Sequence, residues 1–340
     1  QFLSGPHTTL LIAGLGAEVI RVDNPKTGTA LAKTPIYYGK EGPSFRKRDE
    51  TDLGIAFLKR CRGKKSVTID LKSEKGHELF LKLAKESDIL VENFSVGVTQ
   101  RLKVDWPSLN QINQRLIYCS LTGYGSKGPD CHKKGYDITT QAMSGLMSVT
   151  GQADGPPTKA GTPLADTISA GFALSGILAA LYHRESTGLG QFVDVSMIDT
   201  LFSLLFDDPI DCFEELGLNF QQGNRLVRFS PFNTYPTKDG WIRICCGTDE
   251  MWKRICVAIR KEELGLEENW SRMDWRVSNN EKVDELLINW TSAKLTKDAL
   301  RELEEKDVVV SPVQNINDLL SWPHLNSRGC LLYTSPSPRD

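Results

Sequence analysis

The sequence predicts an α/β protein, with a parallel sheet covered by helices on both faces and a smaller α+β unit after it. Two observations carry this. Through the first half of the 340-residue chain, short β-branched runs alternate with helix-period segments, the spacing of parallel strands joined by crossover helices. The character then changes around Gly217–Arg228, where "LNFQQGNRLVRFSPFNTYPTKDG" is polar, aromatic and rich in turn residues.

The elements follow in order. Thr8–Leu15 has a short helix pattern, and Ala17–Asp23 ("AEVIRVD") reads as a strand bounded by Gly16 and Pro25. Lys65–Leu71 is a second strand. Ser73 then stands where an N-cap belongs, ahead of "EKGHELFLKLAKES", whose Leu79, Phe80 and Leu83 share a face. Asp88–Phe94 is a buried-type strand; short helices follow at Thr99–Leu102 and Trp106–Asn113, and Arg115–Gly125 is the next strand with its glycine turn. Helices are expected over Ile138–Val149 and after Asp166, and Gln191–Asp199 is a strand running into a helix. In the second unit "WIRICCG" is a strand, "DEMWKRICVAIR", "NNEKVDELLINWTSAKL" and "TKDALRELEEKD" are helices, and "VVVSPV" is a strand. The expected divisions are 1–200 for the large domain, 201–221 for a linking helix, 222–320 for the small domain and 321–329 for a return linker.

Bulk composition narrows the function classes. Lys and Arg number 41 against 43 Asp and Glu. That balance gives no electrostatic case for nucleic acid or an anionic membrane. The most apolar run, Ile168–Tyr182, is shorter than a membrane span and contains Gly and Ser. The eight cysteines form no C-x-x-C pair, which fits free thiols in a reducing compartment, and the five histidines show no metal-ligand spacing.

Both termini read as interrupted. The chain opens at Gln1 without methionine, so a leader or a first strand is expected to be missing and a cytoplasmic and a mitochondrial location stay equally open. Residues 330–340, "CLLYTSPSPRD", back-translate into a common sequencing-adaptor string and are expected to be a non-native tail.

Three motifs bear on chemistry. "GYGSKG" (Gly123–Gly128) matches G-x-G-x-x-G after a strand, but Pro129 follows and no helix opens on the last glycine, so pyrophosphate binding of the dinucleotide type fails and a glycine loop beside a site remains. "CRGKKSVTIDLK" (Cys61–Lys72) clusters cations around a strand, as a solvated edge or as a phosphate-binding segment. Asp166, in "GTPLADTISAG", reads as the N-cap of a long Ala/Gly-rich helix. The same helix start would hold the carboxylate ionised, and a rigid ionised carboxylate is a usable nucleophile toward an activated carbonyl.

Taken together, "GPHTTLLIAGLGAEVIRVDNP", "KKSVTIDLKSEKG", "DILVENFSVGV", "IYCSLTGYGSKGP", "GYDITTQAMSGLMSVTG", "GTPLADTISAG" and "TGLGQFVDVSMID" resemble the class III coenzyme A transferases, in order and spacing from Gly5 to Asp199 and more weakly to about Gly329. The resemblance implies a Rossmann-like large domain, a small α+β domain and an interlaced homodimer. It implies acyl-CoA and small carboxylic acids as substrates, with the CoA thioester as substrate and no tightly bound cofactor. Asp166 matches the catalytic aspartate, which forms an anhydride and then a thioester with CoA. Leu3, Ser4, Ile69, Lys72, Asn93 and Arg101 match coenzyme-contacting positions, and Lys134, Tyr136 and Asp137 match the loop facing the reactive aspartate. An aspartate near its reference pKa of about 3.9 needs no general base. Two departures separate the chain from the oxalate-using branch: Asn24 replaces an adenine-stacking arginine, and "NFQQGNRL" stands where that branch has a tetraglycine loop. A 2-methylacyl-CoA racemase of the same superfamily is the rival enzyme, disfavoured because "GYD" puts Tyr136 where that reaction uses a histidine base. An inactive CoA-binding scaffold is the rival of another class. Arg225 and Arg228 are candidates to hold an acceptor carboxylate.

Overall fold

Strand Ile117–Thr122 is the middle of the sheet that carries the site. It lies between Ile89–Glu92 and Phe192–Ser196, parallel to both. Its first five residues are all buried, as a central parallel strand covered on both faces requires. Side chains alternate across it. Ile117, Cys119 and Leu121 enter one core with Ala165, Ala173, Ile177 and Ala180 of the long helix Leu164–Thr187. Tyr118 enters the other with Ala84, Leu109 and Leu116, against which Phe80 and Leu81 pack. Helices therefore cover both faces, as the alternation predicts. The long helix comes close because its inward residues are small: a Cβ on Gly176 would stand 2.7 Å from Val193 Cγ1.

The computed structural model describes residues 2–329, so the expected adaptor-derived tail lies outside the described residues. Those residues form two units: 2–149 with 157–216, and 150–156 with 217–329. The first unit holds two parallel sheets rather than one, because Val19–Asp23 pairs only with Lys64–Thr68. Helix–strand spacing identifies parallel strands but not which of them become neighbours. A three-stranded antiparallel sheet of Tyr37–Gly39, Gly42–Ser44 and Leu53–Gly54 escaped the sequence reading. Strands of two or three residues leave no period to detect.

Three boundaries moved. Helix Ser4–Gly14 begins four residues before the expected Thr8, since Pro6 sits in the first turn, where its missing N–H costs nothing. Helix Leu164–Thr187 starts at Pro163, so Asp166 lies in its first turn and is not the N-cap. At 24 residues, with a mean hydropathy of 1.6 over its most apolar window, this helix is long and apolar enough to cross a bilayer. Its inward stripe is instead part of a protein core, and Arg184 near its end pairs with Asp88 at 2.9 Å. Residues 201–221, expected as a linking helix, hold the end of helix Met197–Phe202 and two short 3₁₀ turns, Ser203–Leu205 and Ile210–Cys212. Asp207, Asp208 and Pro209 interrupt the helical repeat between those turns.

The second unit is built on an antiparallel sheet, Phe232–Pro236, Trp241–Cys245 and Val309–Pro312. Helices Asp249–Ala258, Asn280–Thr291 and Thr296–Glu304 bury Trp252, Ile255, Val283, Leu287, Ala299 and Leu303 against it. One acid is drawn into this core. Asp284 accepts hydrogen bonds from the Tyr235 hydroxyl (2.6 Å), Asn233 Nδ2 (2.9 Å) and Arg225 Nε (2.8 Å). Arg225, a sequence candidate for holding a substrate carboxylate, is thus committed to an internal one.

Candidate active site

Asp166 is placed by two helix starts. Its own helix brings it into the first turn, and the start of Ser4–Gly14 points at it: the Ser4 N–H donates to Asp166 Oδ1 at 3.1 Å. The first N–H groups of a helix have no internal partner, and the helix dipole adds positive potential there. A third short helix, Asp137–Met143, closes the arrangement, with Tyr136 at its N-cap and Asp137 as its first residue. Asp137 Oδ2 accepts the Asp166 N–H at 3.1 Å, and Asp137 Oδ1 accepts from Gln141 Nε2 at 2.6 Å. Gln141 Oε1 in turn accepts the Ala160 N–H at 2.9 Å, tying down the segment that leads into the long helix.

A cavity of about 1900 Å³ opens over these groups, entirely within the first unit. Leu3, Ser4, Ile69, Lys72, Asn93, Lys134, Tyr136, Asp137 and Asp166 all line it. Asn93 Nδ2 donates to Ser4 Oγ at 3.3 Å. Ile69 is buried directly after strand Lys64–Thr68, with its N–H on Asp23 O at 2.9 Å. Lys72 and Lys134 are exposed at the rim. Tyr136 is 65 % exposed and meets Phe2 edge-on at 6.4 Å between ring centroids. Arg101 is the exception. It ends the short helix Val98–Arg101 outside the cavity wall, and its guanidinium lies back over Gly97.

Charge around Asp166 is mixed. Burial raises its pKa above the ordinary 3.8, and the Asp137 charge pushes the same way; the Ser4 hydroxyl and N–H and the Arg60 charge oppose them. The expectation of an unperturbed aspartate is corrected in direction: the helix starts do not fully offset the loss of water. Arg60, His7 and Lys64 complete the neighbourhood. Arg60 donates to Phe2 O at 2.8 Å, and burial lowers its pKa while Asp166 raises it. Burial pulls His7 down, as do Arg60 and Lys64, against Asp166. Lys64 donates to Pro6 O (2.7 Å) and Thr9 Oγ1 (2.8 Å), and burial lowers its pKa to about 8. The cation-rich "CRGKKSVTIDLK" segment is therefore partly internal, with Lys64 bracing the helix that carries Ser4. Neither His7 nor Arg60 had any spacing signal, because the fold alone brings them to the acid.

The glycine motifs act through close approach. A Cβ on Gly123 would stand 2.8 Å from Gly135 Cα, and one on Gly135 equally close to Gly123 Cα. The turn after strand Ile117–Thr122 thus touches the segment that delivers Tyr136 and Asp137. Gly123→Ala is expected to force these backbones apart and to destabilise the first unit by about 1–3 kcal/mol. Differential scanning calorimetry against wild type checks this. No helix opens on the "GYGSKG" loop, and Gly125 and Gly128 both have positive φ.

Comparison with known proteins gives the family. The sequence model of CoA-transferase family III matches residues 1–338. The chain is similar to the succinyl-CoA:mesaconate CoA-transferase of Haloarcula hispanica, 33 % identical over 335 residues, covering 97 % of this chain and 82 % of that one. It is also similar to the succinate–glutarate CoA-transferase of Agrobacterium fabrum, 31 % identical and covering 97 % and 81 %. Among solved structures, a CaiB/BaiF family protein from Brucella suis superposes with a TM-score of 0.82 at 31 % identity, covering 97 % and 85 %. These matches and the α/β fold with its parallel sheets place the chain in CoA-transferase family III, and it is a transferase.

Proposed function

We propose that the protein moves coenzyme A from an acyl-CoA donor to a small dicarboxylic acid, with Asp166 as the transient carrier and succinyl-CoA as the donor class. The observation that carries this is the Asp166 carboxylate, held by the Ser4 main-chain N–H at 3.1 Å where two helix starts meet and facing a cavity large enough for a CoA thioester. The choice of donor and acceptor class follows relatives named for succinyl-CoA with mesaconate and for succinate with glutarate.

The chemistry balances without a general base. An oxygen of Asp166 attacks the thioester carbonyl, the C–S bond breaks, and CoA leaves as thiolate from an aspartyl–acyl anhydride. The thiolate then attacks the aspartyl carbonyl, and the donor acid leaves as carboxylate from an aspartyl-CoA thioester. The acceptor carboxylate attacks that thioester and displaces the thiolate. The thiolate finally attacks the acceptor's acyl carbon, giving the new acyl-CoA and free Asp166. Every nucleophile is already an anion, so no proton has to move. Ser4 N–H is placed to hold the carboxylate in its attacking orientation.

Two tests follow. A panel of mono- and dicarboxylic acids incubated with succinyl-CoA, followed by mass spectrometry, is expected to yield new thioesters from dicarboxylic acids; thioesters from monocarboxylic acids alone would refute the class. The pH profile supplies the second. Only ionised Asp166 can attack, so kcat/KM falls as pH falls through its raised pKa. The acid limb is therefore expected above the ordinary aspartate value of 3.8. Asp137→Asn removes a charge that raises this pKa, so it should move the limb to lower pH.

The protein is further proposed to act as an interlaced homodimer. Helix Leu164–Thr187 leaves Phe172, Leu178 and Tyr182 exposed, and Phe202 and Phe206 are exposed in the same unit. These exposed apolar side chains support a surface that another chain covers. Sedimentation equilibrium returning the monomer mass of 37.9 kDa at micromolar concentration would refute the assembly.

A further inference from the structure

Glu92 is an acid the mechanism does not use. It ends strand Ile89–Glu92, and in register its neighbours across the sheet are Ser120 and then Asp194. The three polar residues form a row across the sheet, with Glu92 at the carboxyl end of its strand and Ser120 and Asp194 within theirs. Each end of the row holds a loop. Glu92 Oε2 accepts the Phe94 N–H at 2.8 Å, closing the turn on which Asn93 sits. Asp194 accepts the Ser126 N–H at 3.1 Å and the Ser126 hydroxyl at 2.5 Å, fixing the glycine loop after strand Ile117–Thr122. Ser120 stands between them in register.

The Asn93 turn leads straight to the reactive group. Asn93 Nδ2 donates to Ser4 Oγ, and the same Ser4 donates its N–H to Asp166 Oδ1. The fit is close: a Cβ on Gly5 would stand 3.2 Å from Asn93 Cγ and Oδ1, so a displaced Asn93 meets the start of helix Ser4–Gly14 directly. Burial, with the Asp194 charge behind it, raises the Glu92 pKa, while Ser120 and the Phe94 N–H oppose the shift. A carboxylate kept in so costly a place needs its partners to hold it.

We propose that Glu92 is a positioning residue for the reactive carboxylate: by accepting the Phe94 N–H it fixes the turn that sets Asn93 against Ser4. Glu92 touches no reacting atom in this account. It acts through Asn93 and Ser4, and the proposal rests on the reading of Asp166 as nucleophile.

The experiment compares Glu92→Ala, Glu92→Gln and Asp166→Ala as full chains, each checked for wild-type melting. Loss of the Phe94 acceptor loosens the turn that sets Asn93 against Ser4, and with it the geometry of attack. Glu92→Ala should therefore lower kcat about tenfold and leave KM for succinyl-CoA within about twofold. Glu92→Gln keeps an oxygen for the Phe94 N–H and should recover most of the loss. A wild-type kcat in Glu92→Ala, a loss confined to KM, or a glutamine variant no better than alanine would each overturn the positioning role. Transfer surviving in Asp166→Ala would overturn the nucleophile reading instead, so the two failures are separate. Should Glu92→Ala not fold, Asn93→Ala removes the contact to Ser4 through which Glu92 is proposed to act and should lower kcat by a similar factor; an unchanged kcat there refutes the proposal equally.

Discussion

Asp166→Asn is expected to lower CoA transfer by about 10³-fold or more while acyl-CoA still binds. Asparagine keeps the size and a carbonyl oxygen able to accept the Ser4 N–H, so the start of helix Ser4–Gly14 and the cavity wall should remain as they are. What it loses is the nucleophile: a neutral amide oxygen does not open a thioester at a useful rate. The loss should therefore fall on kcat, and isothermal titration with a non-hydrolysable acyl-CoA analogue should give near wild-type affinity. Hydroxylamine added during turnover should mark residue 166 of the wild type and nothing in the variant, read by peptide mass spectrometry. Full transfer by Asp166→Asn, or trapping at another side chain, would end the covalent mechanism proposed above.

The second large effect concerns stability. Asp284→Ala is expected to cost the second unit about 3 kcal/mol, a fall in melting temperature of roughly 10–20 °C. Asp284 is 5 % exposed and accepts from Tyr235, Asn233 and Arg225 together. Its removal leaves the Tyr235 hydroxyl, on a fully buried side chain, without its acceptor and strips Arg225 of its counter-charge. Asp284→Asn, which retains an acceptor for Tyr235, should lose less. All but Trp106 of the chain's seven tryptophans belong to this unit, so their fluorescence reports its unfolding. Equal melting of the alanine variant and wild type would show that this cluster contributes nothing net.

Much of the fold was legible because the signals were local. Ser73 accepts the Gly76 N–H as its position ahead of "EKGHELFLKLAKES" predicts, and the buried-type runs at Ile89–Glu92 and Ile117–Thr122 are parallel neighbours. Pairings and close approaches were not legible. Nothing in "GYGSKG" states that Gly123 touches Gly135, and no spacing links Ser4 to a carboxylate 162 positions away. The site residues reached by resemblance line one cavity except Arg101, whose side chain turns back on its own short helix. Those that resemblance missed, His7, Arg60 and Glu92, are ionisable groups that only the fold brings to this part of the molecule. Arg225 shows a related gap: sequence shows a cation but not the internal acid it pairs with.

The donor on Asp166 belongs to the peptide at position 4, not to the serine's hydroxyl alone. Every amino acid but proline brings that same N–H. Substitution here by any residue but proline keeps the main-chain half of the grip on the acid, while the hydroxyl that Asn93 contacts belongs to the serine itself. What inheritance has to preserve here is the path of the chain, and a path tolerates far more spellings than a side chain does.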